Sequence, residues 1–140
     1  MEQNFGLISI IMAAYNAENT IEKAVMSVMA QTYTQFELII INDCSTDKTL
    51  SIIKKFEEFD KRIFLINNSY NRGVSYSRRY GLEKARGEWI AILDSDDAWA
   101  ADKLEKQIRL QKEKNADLVY TGSAFMDSSG NSIEWYLHVP

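Results

Sequence analysis

The sequence predicts an α/β fold: a doubly wound, mostly parallel sheet with helices on both faces. Three observations carry this. Five short runs rich in β-branched residues, 7–13, 36–42, 63–67, 89–93 and 117–121, are apolar in continuous rather than alternating fashion, as strands covered on both sides are. The segments between them have helical spacing, and strand-helix alternation builds a parallel sheet. Four of the runs also finish in polar or charged residues: "AYN" at 14–16, "NDCS" at 42–45, "NNSYNRG" at 67–73 and "DSDD" at 94–97. In open sheets of this kind, ligands bind outside the carboxyl ends of the strands, where strand order reverses.

Taken in order, the first strand leads to a helix over 19–31. Asn19 and Glu22 form a capping-box-like start, and Ile21, Val25, Val28 and Met29 share a face. A second helix over 45–59 has Ser45 as its cap candidate and Leu50, Ile53 and Phe56 on one side. The third, 74–87, is interrupted by Gly81 and has Gly87 as its C-terminal stop. The fourth, 101–115, carries Leu104, Ile108 and Gln111 on one stripe.

With 140 residues, 46% hydrophobic and 26% charged, the chain suits one globular domain, and no linker or repeat divides 1–140. Sixteen Lys and Arg against twenty Asp and Glu leave a net charge of -4, which argues against nucleic acid held by bulk charge. Cys44 is the single cysteine, so no internal disulfide forms and a reducing compartment fits. No run approaches the roughly 18 apolar residues of a membrane span, and the N-terminus lacks a basic region before its apolar stretch. A cytoplasmic protein is expected, in which the sequon "NNS" at 67–69 has no role.

The acidic strand end poses the sharpest question. Asp94, Asp96 and Asp97 repel one another, and burying them unpaired costs several kcal/mol each. Oxygen-only donors suit Mg²⁺ or Mn²⁺ shared with phosphate oxygens; a solvated, helix-capping loop is the other reading. Asp43 can accept from a ribose hydroxyl or a base N–H, or can cap the next helix together with Ser45. Tyr15 can lie against a nucleobase or pack. Arg72, Arg78 and Arg79 follow the third strand and can reach phosphates, or can form a solvated face. Cys44 and His138 read as structural. The glycine patterns of dinucleotide-binding folds and P-loops are absent from the sequence, so a diphosphate would be held by metal and side chains.

Together these blocks resemble family 2 glycosyltransferases of the GT-A fold, in their N-terminal nucleotide-sugar-binding part. "SIIMAAYNAENTIEKAVMSVMAQTY" is similar to the family's opening strand, Tyr-Asn turn and first helix. "FELIIINDCSTDKT" resembles the second strand and its Asp-Asp-Gly-Ser-Thr-Asp, and "NRGVSYSRRYGLEKARGEWIAILDSDDAW" the Asn-x-Gly, Ala-Arg-Asn and Leu-Asp-x-Asp-Asp blocks. The likeness covers roughly residues 6 to 125. It departs at Ala13 (a frequent Pro), Asn42 (Asp), Cys44 (Gly) and Arg79 (Asn).

The resemblance implies an inverting enzyme that moves a sugar from a nucleoside diphosphate, most often UDP, to an acceptor hydroxyl in cell-surface polysaccharide synthesis. The acceptor would be a saccharide or a lipid-linked one, met at the membrane periphery. On this reading Ala13, Tyr15, Asp43, Arg78, Asp94 and Asp96 contact the nucleotide-sugar, and Asp96 and Asp97 hold Mn²⁺ or Mg²⁺. The general base is expected beyond Pro140, on an acceptor side that 1–140 would lack. Asp102, Glu105 and Glu113 read as a solvated helix face, Asp127 as a turn residue, Asp117 stands at the wrong strand end, and Glu134 lies in "SIEWYLHVP", where another element is expected to begin. Two other classes fit the same architecture. A non-catalytic nucleotide-binding module is one. A receiver-like phosphoacceptor is the other, but it needs acids after strand one, where this chain has "MAAYN".

Overall fold

A computed structural model describes residues 5–127, Ser129 and the backbone of Ser132–Ile133. His138 and Glu134 lie outside the described residues. Four parallel strands, β1 (Ile8–Ala14), β2 (Phe36–Asn42), β3 (Ile63–Asn67) and β4 (Trp89–Ile92), stand in the order β3-β2-β1-β4. Chain order therefore reverses between β1 and β4, the place the sequence reading sought for the site.

Helices cover both faces. On one side α1 (Ile21–Met29), α2 (Thr49–Phe59) and α4 (Lys103–Lys114) bury Ile21, Val25, Val28, Ile53, Leu104 and Ile108 against Ile10, Met12, Leu38 and Ile40. On the other, α3 (Val74–Lys84) lies over Ile11, Ile39 and Ile41. Strands β1 and β2 are buried along nearly their whole length, which is why their sequences are apolar without alternation.

Gly81, which interrupts the apolar pattern of α3, is there for proximity. A Cβ on it would stand 2.6 Å from Ile11 Cγ2 and 2.7 Å from Ile41 Cδ1, so the missing side chain is what lets the helix rest on the sheet.

The expected fifth strand at 117–121 does not form. Leu118 and Tyr120 are 80% and 87% exposed, and among the described residues β4 is the outer strand of the sheet. With Leu118 and Tyr120 uncovered, the run gains little of the side-chain packing that favours a strand. A two-stranded antiparallel pair, β5 (Phe125–Met126) with β6 (Ser132–Ile133), follows instead.

Helix starts also differ from expectation. Thr20, not Asn19, precedes α1, and its side chain caps nothing. Helix α2 begins four residues after Ser45, whose hydroxyl accepts instead from the Asn16 amide across the loop at 3.0 Å. Gly87 lies past the end of α3; its amide donates to Ser9 Oγ at 2.8 Å, and a Cβ there would meet the Ser9 backbone at 2.6 Å. Close approach to β1, rather than helix termination, is what requires glycine at 87.

Candidate functional site

A cleft of about 480 Å³ opens at the carboxyl ends of the strands, between the β1 turn and the β4 turn. Ala13, Ala14, Tyr15 and Asn16 form one wall, Asp94, Ser95 and Asp96 another, and Asp43, Val74 and Arg78 border it as well. Ala13, Tyr15, Asp43, Arg78, Asp94 and Asp96, the nucleotide-sugar contacts that the resemblance implies, all border this one space. Asp97 stands beside it: carboxylate oxygens of Asp94, Asp96 and Asp97 lie within 4.8 Å of one another.

The acidic wall is one tight turn, closed by the Asp97 amide on the Asp94 carbonyl at 3.1 Å. The positive group that its repulsion called for is present in part. Arg78, reaching from α3, donates through Nη2 to Asp94 Oδ1. Among the described residues no cation pairs with Asp96 or Asp97. Partial burial, and then the charges of Asp96 and Asp94, push the Asp97 carboxyl above the usual carboxylate range. Three hard oxygen donors, one of them electrostatically disfavoured as an anion, fit a divalent cation, which would relieve that repulsion.

Asp43 is 3% exposed, yet it is ionised by design of its surroundings. Burial raises its pKa, but hydrogen bonds from Asn68, the Arg72 amide and the Gly73 amide outweigh burial and hold it below the usual range. Oδ1 accepts from Asn68 Nδ2 at 2.7 Å and the Arg72 amide at 2.9 Å; Oδ2 accepts from the Gly73 amide at 2.7 Å. Oδ2 also shares the Arg72 amide, at 3.1 Å. Asp43 thus anchors the loop before α3 at the border of the cleft.

Tyr15 is half-exposed on the opposite wall. Its turn is knitted to the loop after β2: Asn16 Oδ1 accepts from the Thr46 amide at 2.8 Å, and Thr49 Oγ1 from the Ala17 amide at 2.8 Å. Asn16 and Cys44 both adopt left-handed backbone, at φ 48° and 61°. Asparagine tolerates that region; cysteine is less suited to it, and its Sγ donates only a weak bond to the Ser69 carbonyl at 3.6 Å.

Of the three arginines considered, only Arg78 borders the cleft. Arg72 and Arg79 point their guanidinium groups at Tyr70 and Tyr76 instead. Sequence reasoning missed Asn16, Asn19, Thr20 and Ser95, which line the cleft, and Asn68, which orients Asp43. Their polarity at strand ends was the available signal, but nothing in one sequence separates such residues from ordinary loop polars.

A parallel sheet in this order, with an acidic cleft at its switch point, is the architecture of nucleotide-binding α/β domains. The chain belongs to glycosyl transferase family 2, whose sequence model matches residues 9–139. It is 40% identical over 134 residues to TuaG of Bacillus subtilis, a glycosyltransferase provisionally assigned to teichuronic acid biosynthesis, covering 96% of this chain and 53% of that protein. It is 44% identical over 114 residues to WfgD of Escherichia coli, a UDP-Glc:alpha-D-GlcNAc-diphosphoundecaprenol beta-1,3-glucosyltransferase, covering 81% and 44%. The chain thus spans about half the length of the curated relatives it matches.

Among solved structures it resembles Staphylococcus aureus TarS in complex with UDP-GlcNAc, with a TM-score of 0.74 and 29% identity over 79% of this chain and 32% of that one. It also resembles the mannosyltransferase PcManGT of Pyrobaculum calidifontis in complex with GDP-Man and Mn²⁺, with a TM-score of 0.71 and 25% identity over 76% and 32%. The expected GT-A fold is therefore the observed one.

Proposed function

We propose that the chain is the donor-binding part of an inverting glycosyltransferase that takes a UDP-sugar with a divalent ion and serves cell-surface polysaccharide synthesis. The observation that carries this reading is the acid triad, Asp94, Asp96 and Asp97, at the rim of a cleft that Tyr15, Asp43 and Arg78 also border. In this reading Tyr15 stacks on the base and the Asp43 carboxylate accepts from a base N–H. Ala13 leaves room beside the ring, and Asp94 and Asp96 meet the ribose and diphosphate. Asp96 and Asp97 hold Mn²⁺ or Mg²⁺, which supplies neutralisation of the charge that develops on the leaving diphosphate. Arg78 has donor capacity to spare, since its Nε is buried without a hydrogen-bond partner.

The acceptor proposed is a saccharide hydroxyl, lipid-linked as in the name of the WfgD relative. Its deprotonation falls to a carboxylate in the part of the relatives that extends beyond the match. In α4, Glu105 is paired with Arg109 at 2.7 Å and Asp102, at the start of that helix, with Lys106 at 2.6 Å, which argues against either as the base. No helix among the described residues is long and apolar enough to cross a membrane, and a cytoplasmic site of action suits the lone Cys44.

Calorimetric titration with UDP, with and without Mn²⁺, tests the reading. Binding should tighten with the metal in the wild type and lose that dependence in Asp97→Ala. Equal UDP affinity of both proteins in Mn²⁺ would overturn the site assignment.

A further inference from the structure

The outer face of α3 and the loop before it carry a second feature, separate from the cleft. Arg72 is held between two tyrosine rings, its guanidinium 4.3 Å from the Tyr70 centroid and 4.4 Å from that of Tyr76. One turn on, Arg79 lies 5.4 Å from Tyr76 and Lys84 Nζ 5.4 Å from Tyr80. The Tyr76 and Tyr80 rings themselves are 6.1 Å apart. Residues 76, 79, 80, 83 and 84 fall on one side of a helix whose other side is given to the sheet and the cleft.

Three cations here meet one carboxylate. Glu83 reaches Arg79 only at 3.8 Å, and among the described residues no acid pairs with the side chains of Arg72 or Lys84. The excess is local, since the chain as a whole has a net charge of -4. The platform is also fixed in place, because Asp43 grips the amides of Arg72 and Gly73. The same helix lends Val74 and Arg78 to the cleft, so a partner on this face lies next to the cleft mouth.

We infer that this face docks the protein on an anionic phospholipid surface. Tyrosine combines an apolar ring with a polar tip and settles at the headgroup level of a bilayer, and basic side chains within a Debye length are drawn to anionic lipid. Choosing a bilayer over another polyanion rests on the lipid-linked acceptor proposed above; the charge and the aromatic lining are observed independently of it.

The test is co-sedimentation of the chain with vesicles of phosphatidylglycerol and phosphatidylcholine, and with phosphatidylcholine alone. Wild type should sediment only with the anionic vesicles and be released by high salt. Each lost cation should weaken binding about fivefold, so Arg79→Ala with Lys84→Ala should cost about 25-fold. A control pair on the opposite face of the sheet, Lys106→Ala with Lys112→Ala, should bind as wild type does, and thermal melts should show all three proteins folded. Absence of binding to anionic vesicles, equal binding to neutral ones, equal loss in both variants, or retention on an acidic polysaccharide without vesicle binding would each overturn the inference. The vesicles carry neither donor nor acceptor, so failure of UDP binding and failure of docking are read separately.

Discussion

Replacing Asp43 by Asn changes almost no volume, yet it should be among the most damaging single substitutions in the cleft. The Asn oxygen can keep the bonds from Asn68 Nδ2 and the Arg72 amide, now at 2.7 and 2.9 Å. Its NH₂ must then face the Gly73 amide, which donates to Oδ2 at 2.7 Å, so a donor meets a donor. One charge-assisted hydrogen bond disappears and a buried N–H is stranded. The two losses overlap, and about 3 kcal/mol is expected, a large share of the 5–15 kcal/mol typical of whole domains.

Urea unfolding at neutral pH should report that loss, and hydrogen exchange at the Arg72 and Gly73 amides should quicken, since the loop rather than the core is released. The acid limb gives a second readout. Because the folded-state pKa of Asp43 is depressed, its stabilisation is complete above the unfolded value of about 3.9 and fades as pH falls below it. The gap between wild type and Asp43→Asn should therefore narrow in acid. A variant as stable as wild type at pH 7, with unchanged exchange at 72 and 73, would refute the account of Asp43 as the anchor of this loop.

Gly81→Ala should destabilise despite alanine's better helix propensity of about 1 kcal/mol; the new methyl meets Ile11 and Ile41, both fully buried, at a cost of about 1–3 kcal/mol, so the melting temperature should fall. Cys44→Gly should raise stability by up to about 1 kcal/mol, because glycine relieves the left-handed backbone at φ 61° and gives back part of the gain as unfolded-state entropy; an unchanged denaturation midpoint would contradict this. Arg86→Ala should cost roughly 2 kcal/mol, less than a fully buried pair, since Ser9 and the residue-86 amide still donate to the buried Glu37. Burial raises the Glu37 pKa, but those donors and Arg86 lower it further, so this deficit too should shrink as pH falls.

Where the sequence was read correctly, the cause was local. Strands β1 and β2 are recognisable because a strand covered on both faces shows no polar alternation, and "LISIIMA" and "FELIIIN" are apolar but for Ser9, Glu37 and Asn42. The acid triad was legible for a similar reason: three carboxylates within four residues cannot separate far, whatever the fold, so their mutual repulsion is written in the chain itself.

Tertiary contacts decided the rest. Nothing in "DLVYT" says that Leu118 and Tyr120 stay uncovered in the folded chain. Gly81 and Gly87 look like a helix breaker and a helix stop until their distances to Ile11 and Ser9 are known. The three arginines are equivalent as letters, and only the placement of α3 sends Arg78 to Asp94 and turns Arg72 and Arg79 toward tyrosines. Asp43 is the clearest instance. Its partners lie 25 to 30 residues away in sequence, so the ionised, loop-anchoring carboxylate exists only once β2 and β3 pair and carry Asn68, Arg72 and Gly73 to it. A sequence specifies which groups can ionise or pack, but the energy of a buried charge depends on the donors that other segments bring within 3 Å of it.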